Sequence, residues 1–227
     1  SYIYNKKRAV TSKDVKAGFT IQMSDKDDIT MNLWMKGEEG REIFSALSPM
    51  TEGLSRIKNM PYSIKDQPTL TFVARQKGEA WNRPFVAVYE PSTVKEPSCI
   101  ASVDYPQVKS EQQGSHVGIR VALTNGNVDW ILSSDENAHH CKLEKLQARA
   151  GYALCRQSEK GETLQAFLGN GTQLEADGVS IRTDAPADVL LLKQDGKWMY
   201  TATAPCRVVV GKKKYTLSAT RELHPLS

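Results

Sequence analysis

From Lys160 onward, turn-forming signals recur along this chain every 8 to 18 residues: Lys160-Gly161, Gly169-Asn170-Gly171, Asp177-Gly178 and Asp195-Gly196. Strands fit between such signals, whereas helices of ordinary length do not. Upstream, Asn125-Gly126-Asn127 joins two strand-like runs, residues 116–123 and 128–133, in a hairpin pattern. Period-two alternation points the same way. Ile29, Met31, Leu33 and Met35 alternate with Thr30, Asn32, Trp34 and Lys36, and residues 145–157 set Leu146, Ala148, Ala150, Tyr152 and Leu154 on one face. Only residues 135–145 read as a short helix. The expected fold is all-β, with antiparallel β-sandwich-type sheets in two consecutive parts and little or no helix.

The division falls where the texture changes. Residues 106–115 (PQVKSEQQGS) are polar, with Pro and Gly at their edges, and mark a linker. Residues 1–106 would then be the end of a central β-sandwich region, and 107–227 a C-terminal antiparallel sheet domain. A chain of 227 residues is long enough to bury a core as one large all-β domain or two small ones.

The first part is organised around residues 69–91. Residues 69–76 and 84–90 are both rich in β-branched and aromatic residues. In the second run Phe85, Ala87 and Tyr89 lie on one face and Val86 and Val88 on the other, the pattern of a strand covered on both sides. The polar link at 77–83 carries Trp81, Asn82 and Arg83, the candidate substrate contacts. A Trp ring stacks on sugars, and the Arg fork pairs with carboxylate or sulfate. The plainer alternative is a loop that covers a sheet edge. Residues 51–68 read as an ordered loop.

Together with residues 41–68 (REIFSALSPMTEGLSRIKNMPYSIKDQP), this stretch resembles the C-terminal part of heparinase II and related heparinase II/III-like polysaccharide lyases, over roughly residues 28–91. The resemblance implies a parent enzyme with a helical toroid followed by two β-rich regions. It implies that the eliminating residues lie upstream, so that no catalytic residue is assigned here. Such lyases abstract the proton next to a uronic-acid carboxylate, which needs a neutraliser and a base, usually Tyr or His. None of the four His or eight Tyr maps onto that motif. The implied partners are an acidic polysaccharide such as heparin or heparan sulfate and the upstream helical and β domains. The implied location is periplasmic or secreted, in a bacterium. The expected role is to complete the scaffold and the outer wall of the glycan cleft. Ser1 opens straight into a strand-like pattern without an initiating Met, as in an excised fragment or a processed chain.

Charge and motifs exclude several other classes. Net charge is +4, and residues 1–106 and 107–227 each carry 15 Lys/Arg against 13 Asp/Glu. No half is a polycation, so nucleic acid is not an expected partner. The basic run Lys212-Lys213-Lys214 reads as a solvated hairpin tip first and an anionic-glycan contact second. No run approaches the length of a membrane span. Cys99, Cys141, Cys155 and Cys206 form no C-x-x-C pair; Cys99, Cys155 and Cys206 sit in strand-like runs that suit buried thiols, and pairing is left open. His139 and His140 are adjacent and point apart, while His139 and Cys141 share a face but make only two ligands. His116 and His224 stand alone, so no metal or other cofactor is expected. Two rival functions fit the same residues: a self-sufficient carbohydrate-binding module with Trp81 or Trp34 as stacking platform, and a small independent lyase.

Overall fold

The computed structural model describes residues 4–22, 26–48, 69–79 and 83–226. Among them are eighteen strands and no helix, and every strand pair is antiparallel. The all-β expectation holds. The chain divides into two compact units, 1–98 and 99–227. No helix of the described residues is long and apolar enough to cross a membrane.

The first unit holds β1 (Tyr4–Thr11), β2 (Val15–Ile21), β3 (Ile29–Met35), β4 (Arg41–Ser48), β5 (Thr69–Arg75) and β6 (Ala87–Ser92). They form two three-stranded sheets, β1-β4-β5 and β2-β3-β6. An edge-on contact between Phe19 of β2 and Phe72 of β5, centroids 5.7 Å apart, joins them. The β3 alternation is as expected, yet burial is confined to its end: Leu33, Trp34 and Met35 are buried, whereas Ile29 and Met31 are exposed. The run expected to be covered on both faces is covered on one. Val86 is buried, but Phe85 is 47% and Tyr89 62% exposed, because within this unit β6 is an edge strand beside β3 alone.

The second unit is one twelve-stranded sheet. Its strands are β7 (Ile100–Asp104), β8 (Lys109–Ser110), β9 (His116–Leu123), β10 (Val128–Ser134), β11 (His140–Leu143), β12 (Leu146–Gln157), β13 (Thr163–Ala176), β14 (Val179–Gln194), β15 (Lys197–Ala202), β16 (Cys206–Val210), β17 (Lys213–Leu217) and β18 (Thr220–Pro225). The backbone path is β17-β16-β14-β13-β12-β10-β9-β7. Residues 106–115, read from sequence as a linker, run within this unit, and β8 there pairs with β11. The stretch 135–145, read as helical, is a turn followed by β11; its Glu144-Lys145 turn returns Leu143 against Leu146. Pairing with both β8 and β12 outweighs a weak local helical preference.

Gly169-Asn170-Gly171 is a bulge, not a turn. Register shifts flank it in β13, and Asn170 takes φ 47°. Its amide donates to Asp188 Oδ1 at 2.8 Å, and Thr183 Oγ1 donates to the Gly171 carbonyl at 3.0 Å. A Cβ on Gly171 would sit 2.5 Å from Ala150 Cβ, so only glycine fits. The disturbance crosses to β12, where the register slips between Arg149 and Ala150. Buried positions accordingly switch from Leu146, Ala148 and Ala150 to Ala153 and Cys155, while Tyr152 turns outward. One extra residue flips the alternation, and this is why Tyr152 and Leu154 leave the face on which period two alone places them.

Candidate functional site

Two side-chain clusters stand out, one in each unit. In the first, β3 ends before the turn at 36–40, and Arg41 opens β4 with its side chain only 1% exposed. Its Nε and Nη2 donate to Gln76 Oε1 at 3.1 and 2.6 Å, and its Nη1 donates to the Lys36 carbonyl at 2.5 Å. The guanidinium also lies 4.8 Å from the Phe85 ring centroid. Burial pulls the Arg41 pKa below its ordinary value, against the opposing pull of the Glu38 charge. The neighbouring carboxylate, Glu38, is instead held by Arg83, whose Nη2 and Nε donate to Oε1 at 2.9 and 3.2 Å. That bond holds the Glu38 carboxyl below its usual range. Arg83 also donates to the Glu39 carbonyl. The hollow beside Arg83, lined by Gln76, Lys77, Gly78, Glu79 and Phe85, has a volume of about 10 Å³. That is room for one water and not for a sugar ring.

Of the three expected substrate contacts, Trp81 and Asn82 lie outside the described residues, and Arg83 is committed to Glu38 and the turn before β4. Trp34, named as the other stacking platform, is 6% exposed with Lys16 Nζ 5.1 Å above its ring. Its ring is covered because both faces of β3 are buried at this end of the strand. A larger open groove of about 390 Å³ in the same unit is lined by Lys6, Lys7, Ser45, Ala46, Leu47 and Leu70.

In the second unit the β9–β10 hairpin pairs His116 with Ser134, which places Asp135 one residue past that pair. Ser115 and Asp135 are tied both ways. The Ser115 amide donates to Asp135 Oδ2 at 2.8 Å, and the Asp135 amide donates to the Ser115 carbonyl at 3.1 Å. The turn that follows brings His139 back, its amide donating to the Glu136 carbonyl. His116, Asp135 and His139 thus offer three ligand atoms within 4.8 Å of one another. The two rings meet edge-on, centroids 5.6 Å apart. His116 Nδ1 lies 3.1 Å from Ser134 Oγ and 3.4 Å from Cys141 Sγ. The Ser115 amide, aided by both imidazoles, holds the Asp135 carboxyl below its usual value.

In the sequence alone, His116 has no carboxylate at a telling spacing and His139 has no third ligand. The signal that assembles them is the hairpin register about Asn125-Gly126, which sets residues nineteen apart side by side. None of the four cysteines is in a disulfide; Cys141, Cys155 and Cys206 are buried, and Cys99 is exposed, unlike the buried thiol expected there.

Residues 106–192 match the family described as the endo-acting ulvan lyase C-terminal domain, and this match falls within the second unit. The chain also aligns with an endo-acting ulvan lyase of Formosa agariphila, 28% identical over 176 residues, which is 76% of this chain and 20% of that enzyme. It spans about a fifth of the length of the curated relative it matches. Both matches are to polysaccharide lyases, and the first is to a C-terminal domain of one.

Proposed function

We propose that this chain is the non-catalytic C-terminal β segment of a polysaccharide lyase, completing the scaffold and part of the outer wall of the glycan cleft. The observation that carries the scaffold role is the apolar surface of the first unit. Leu70 and Val73 on β5, Tyr89 on β6 and Phe85 just before β6 are all between 45% and 62% exposed. Exposed large apolar side chains in this number are what a neighbouring domain would cover. The upstream domains of the parent enzyme are the partners this reading assigns to them. The lyase class is supported by the ulvan lyase matches and by the resemblance over residues 28–91.

The substrate of the parent would be an acidic polysaccharide. Ulvan comes first, since the relative is named for it, and heparin or heparan sulfate second, from the heparinase II/III-like pattern. The groove of the first unit lined by Lys6, Lys7, Leu47 and Leu70 offers positive charge to an anionic glycan. An enzyme that works on such an external polymer would be periplasmic or secreted, in a bacterium.

The test is turnover. The isolated chain, incubated with ulvan, heparin or heparan sulfate, should give no unsaturated-uronate absorbance, whereas the full-length parent should. Activity of the isolated chain that survives repurification would overturn the non-catalytic assignment. Capture of the chain by immobilised glycan without turnover would favour a carbohydrate-binding module instead.

A further inference from the structure

We propose that His116, Asp135 and His139 form a binding site for one divalent transition metal ion of the zinc class, with a structural role in the second unit. Two imidazoles and one carboxylate, with ligand atoms within 4.8 Å of one another, are a donor set that borderline first-row ions take readily. Hard ions such as Ca²⁺ and Mg²⁺ prefer all-oxygen sites.

Three further observations point to an occupant. His139 Nδ1 is buried and, among the described residues, has no hydrogen-bond partner. A buried, unsatisfied ring nitrogen is costly unless something ligates it. Second, Gly114 leaves the space over the cluster open. A Cβ there would lie 2.8 Å from Asp135 Oδ1, 3.1 Å from His116 Cε1 and 3.2 Å from His139 Nδ1. The side chains of all three candidate ligands converge on the space that any residue but glycine would fill. Third, the His116 ring and the Asp135 carboxylate are oriented by their own partners. Ser134 Oγ and Cys141 Sγ approach His116 Nδ1, the Gln112 carbonyl lies at a longer 3.4 Å from its Nε2, and the Ser115 amide holds Asp135. Metal ligands are held in this way by outer hydrogen bonds.

The ligands come from two chain segments. His116 follows the 111–115 stretch, and Asp135 and His139 sit in the β10–β11 turn. That turn also reaches the β13 bulge, where Asn137 Nδ2 donates to Asn170 Oδ1 at 3.1 Å. A bound ion would therefore pin the segment after β8 to the turn before β11. The ion binds the folded state far better than the unfolded chain, and this difference stabilises the fold.

The experiment strips the 227-residue chain with a chelator, adds back Zn²⁺, and measures bound metal by mass spectrometry and binding by calorimetry. One Zn²⁺ per chain is expected, with the melting midpoint raised by roughly 5 to 10 °C at a hundredfold excess over Kd. Cleavage at Lys109 by trypsin should slow when Zn²⁺ is present. Ca²⁺ should reproduce none of these effects. His139→Ala and Gly114→Ala should lower affinity at least tenfold, while His140→Ala, on the next residue, should bind as wild type. His139→Ala removes a ligand and Gly114→Ala fills the space above it, so a folding defect in one leaves the other to report. Far-UV circular dichroism of each metal-free variant checks the fold. Absence of stoichiometric binding, affinity unchanged in both variants, or equal stabilisation by Ca²⁺ would overturn the proposal.

Discussion

The two units bury apolar side chains in very different measure. Among the described residues, four buried hydrophobics belong to the first unit and twenty-two to the second. The exposed large hydrophobics divide the other way, nine in the first unit against Tyr152 and Leu223 in the second. The second unit closes a core around Leu132, Leu168, Ile181 and Leu191 by folding twelve strands into one sheet. The first has sheets only three strands wide, and even its buried Arg41 is satisfied by a glutamine and a carbonyl instead of a carboxylate. A domain with its own core folds by itself, while a sheet with an apolar outer face is finished by its neighbours. The sequence similarity follows the same line, since residues 106–192 match a C-terminal domain family in their own right.

Core truncation tests this contrast most severely. Leu168 is fully buried, and Leu168→Ala should cost about 3 kcal/mol in urea unfolding. Leu70 is 48% exposed, and Leu70→Ala in the isolated chain should cost no more than about 0.5 kcal/mol. Equal losses would erase the distinction between the units. Next comes the bulge. Gly171→Ala drives a methyl into Ala150 and the Arg149 carbonyl and should cost about 1–3 kcal/mol, with the loss confined to the second unit.

A pH measurement sharpens the comparison from another side. Burial pushes the Cys155 thiol up to about 11 from its ordinary 9.0. The folded second unit therefore keeps a proton that the unfolded chain sheds. That contribution is complete below about pH 9 and is lost as pH rises toward 11. Wild type should lose melting temperature across this window more steeply than Cys155→Ala, and parallel slopes would show that the thiol is not held in the core. The smallest effect is expected at Arg83. Its side chain is 38% exposed and its Glu38 pair is only partly shielded, so Arg83→Ala should cost about 0–1 kcal/mol, less in high salt. A larger loss would make the turn before β4 a structural keystone of the first unit.

How far the sequence reaches is clearest at particular residues. The turn at Asp195-Gly196 and the hairpin around Gly126 are local chemistry, set by residues able to take positive φ, and they are read directly. The alternation of Ile29 to Met35 likewise gives β3 and its two faces. What alternation does not carry is a break in itself. The β13 bulge at Asn170 looks like a turn because the same residues serve both, and only the pairing of β12, β13 and β14 decides between them. Nor does an apolar run announce its place in a sheet: Phe85 and Tyr89 are exposed where two-sided burial was expected, because β6 is an edge strand beside β3 alone. The histidine cluster depends on register between β9 and β10, a relation across nineteen residues that no single motif states. Trp81 and Asn82 lie outside the described residues, so only Arg83 of that loop has a place in the structure.

The central claim is that the second unit holds its own fold while the first relies on domains outside it. Native-state hydrogen exchange on the 227-residue chain measures this directly, strand by strand. Amides of β12, β13 and β14 should exchange only through global unfolding of the second unit. Those of β1, β4 and β5 should exchange at least a hundredfold faster, through separate opening of the first. Equal protection in both sets, lost together in a single cooperative transition, would contradict the account.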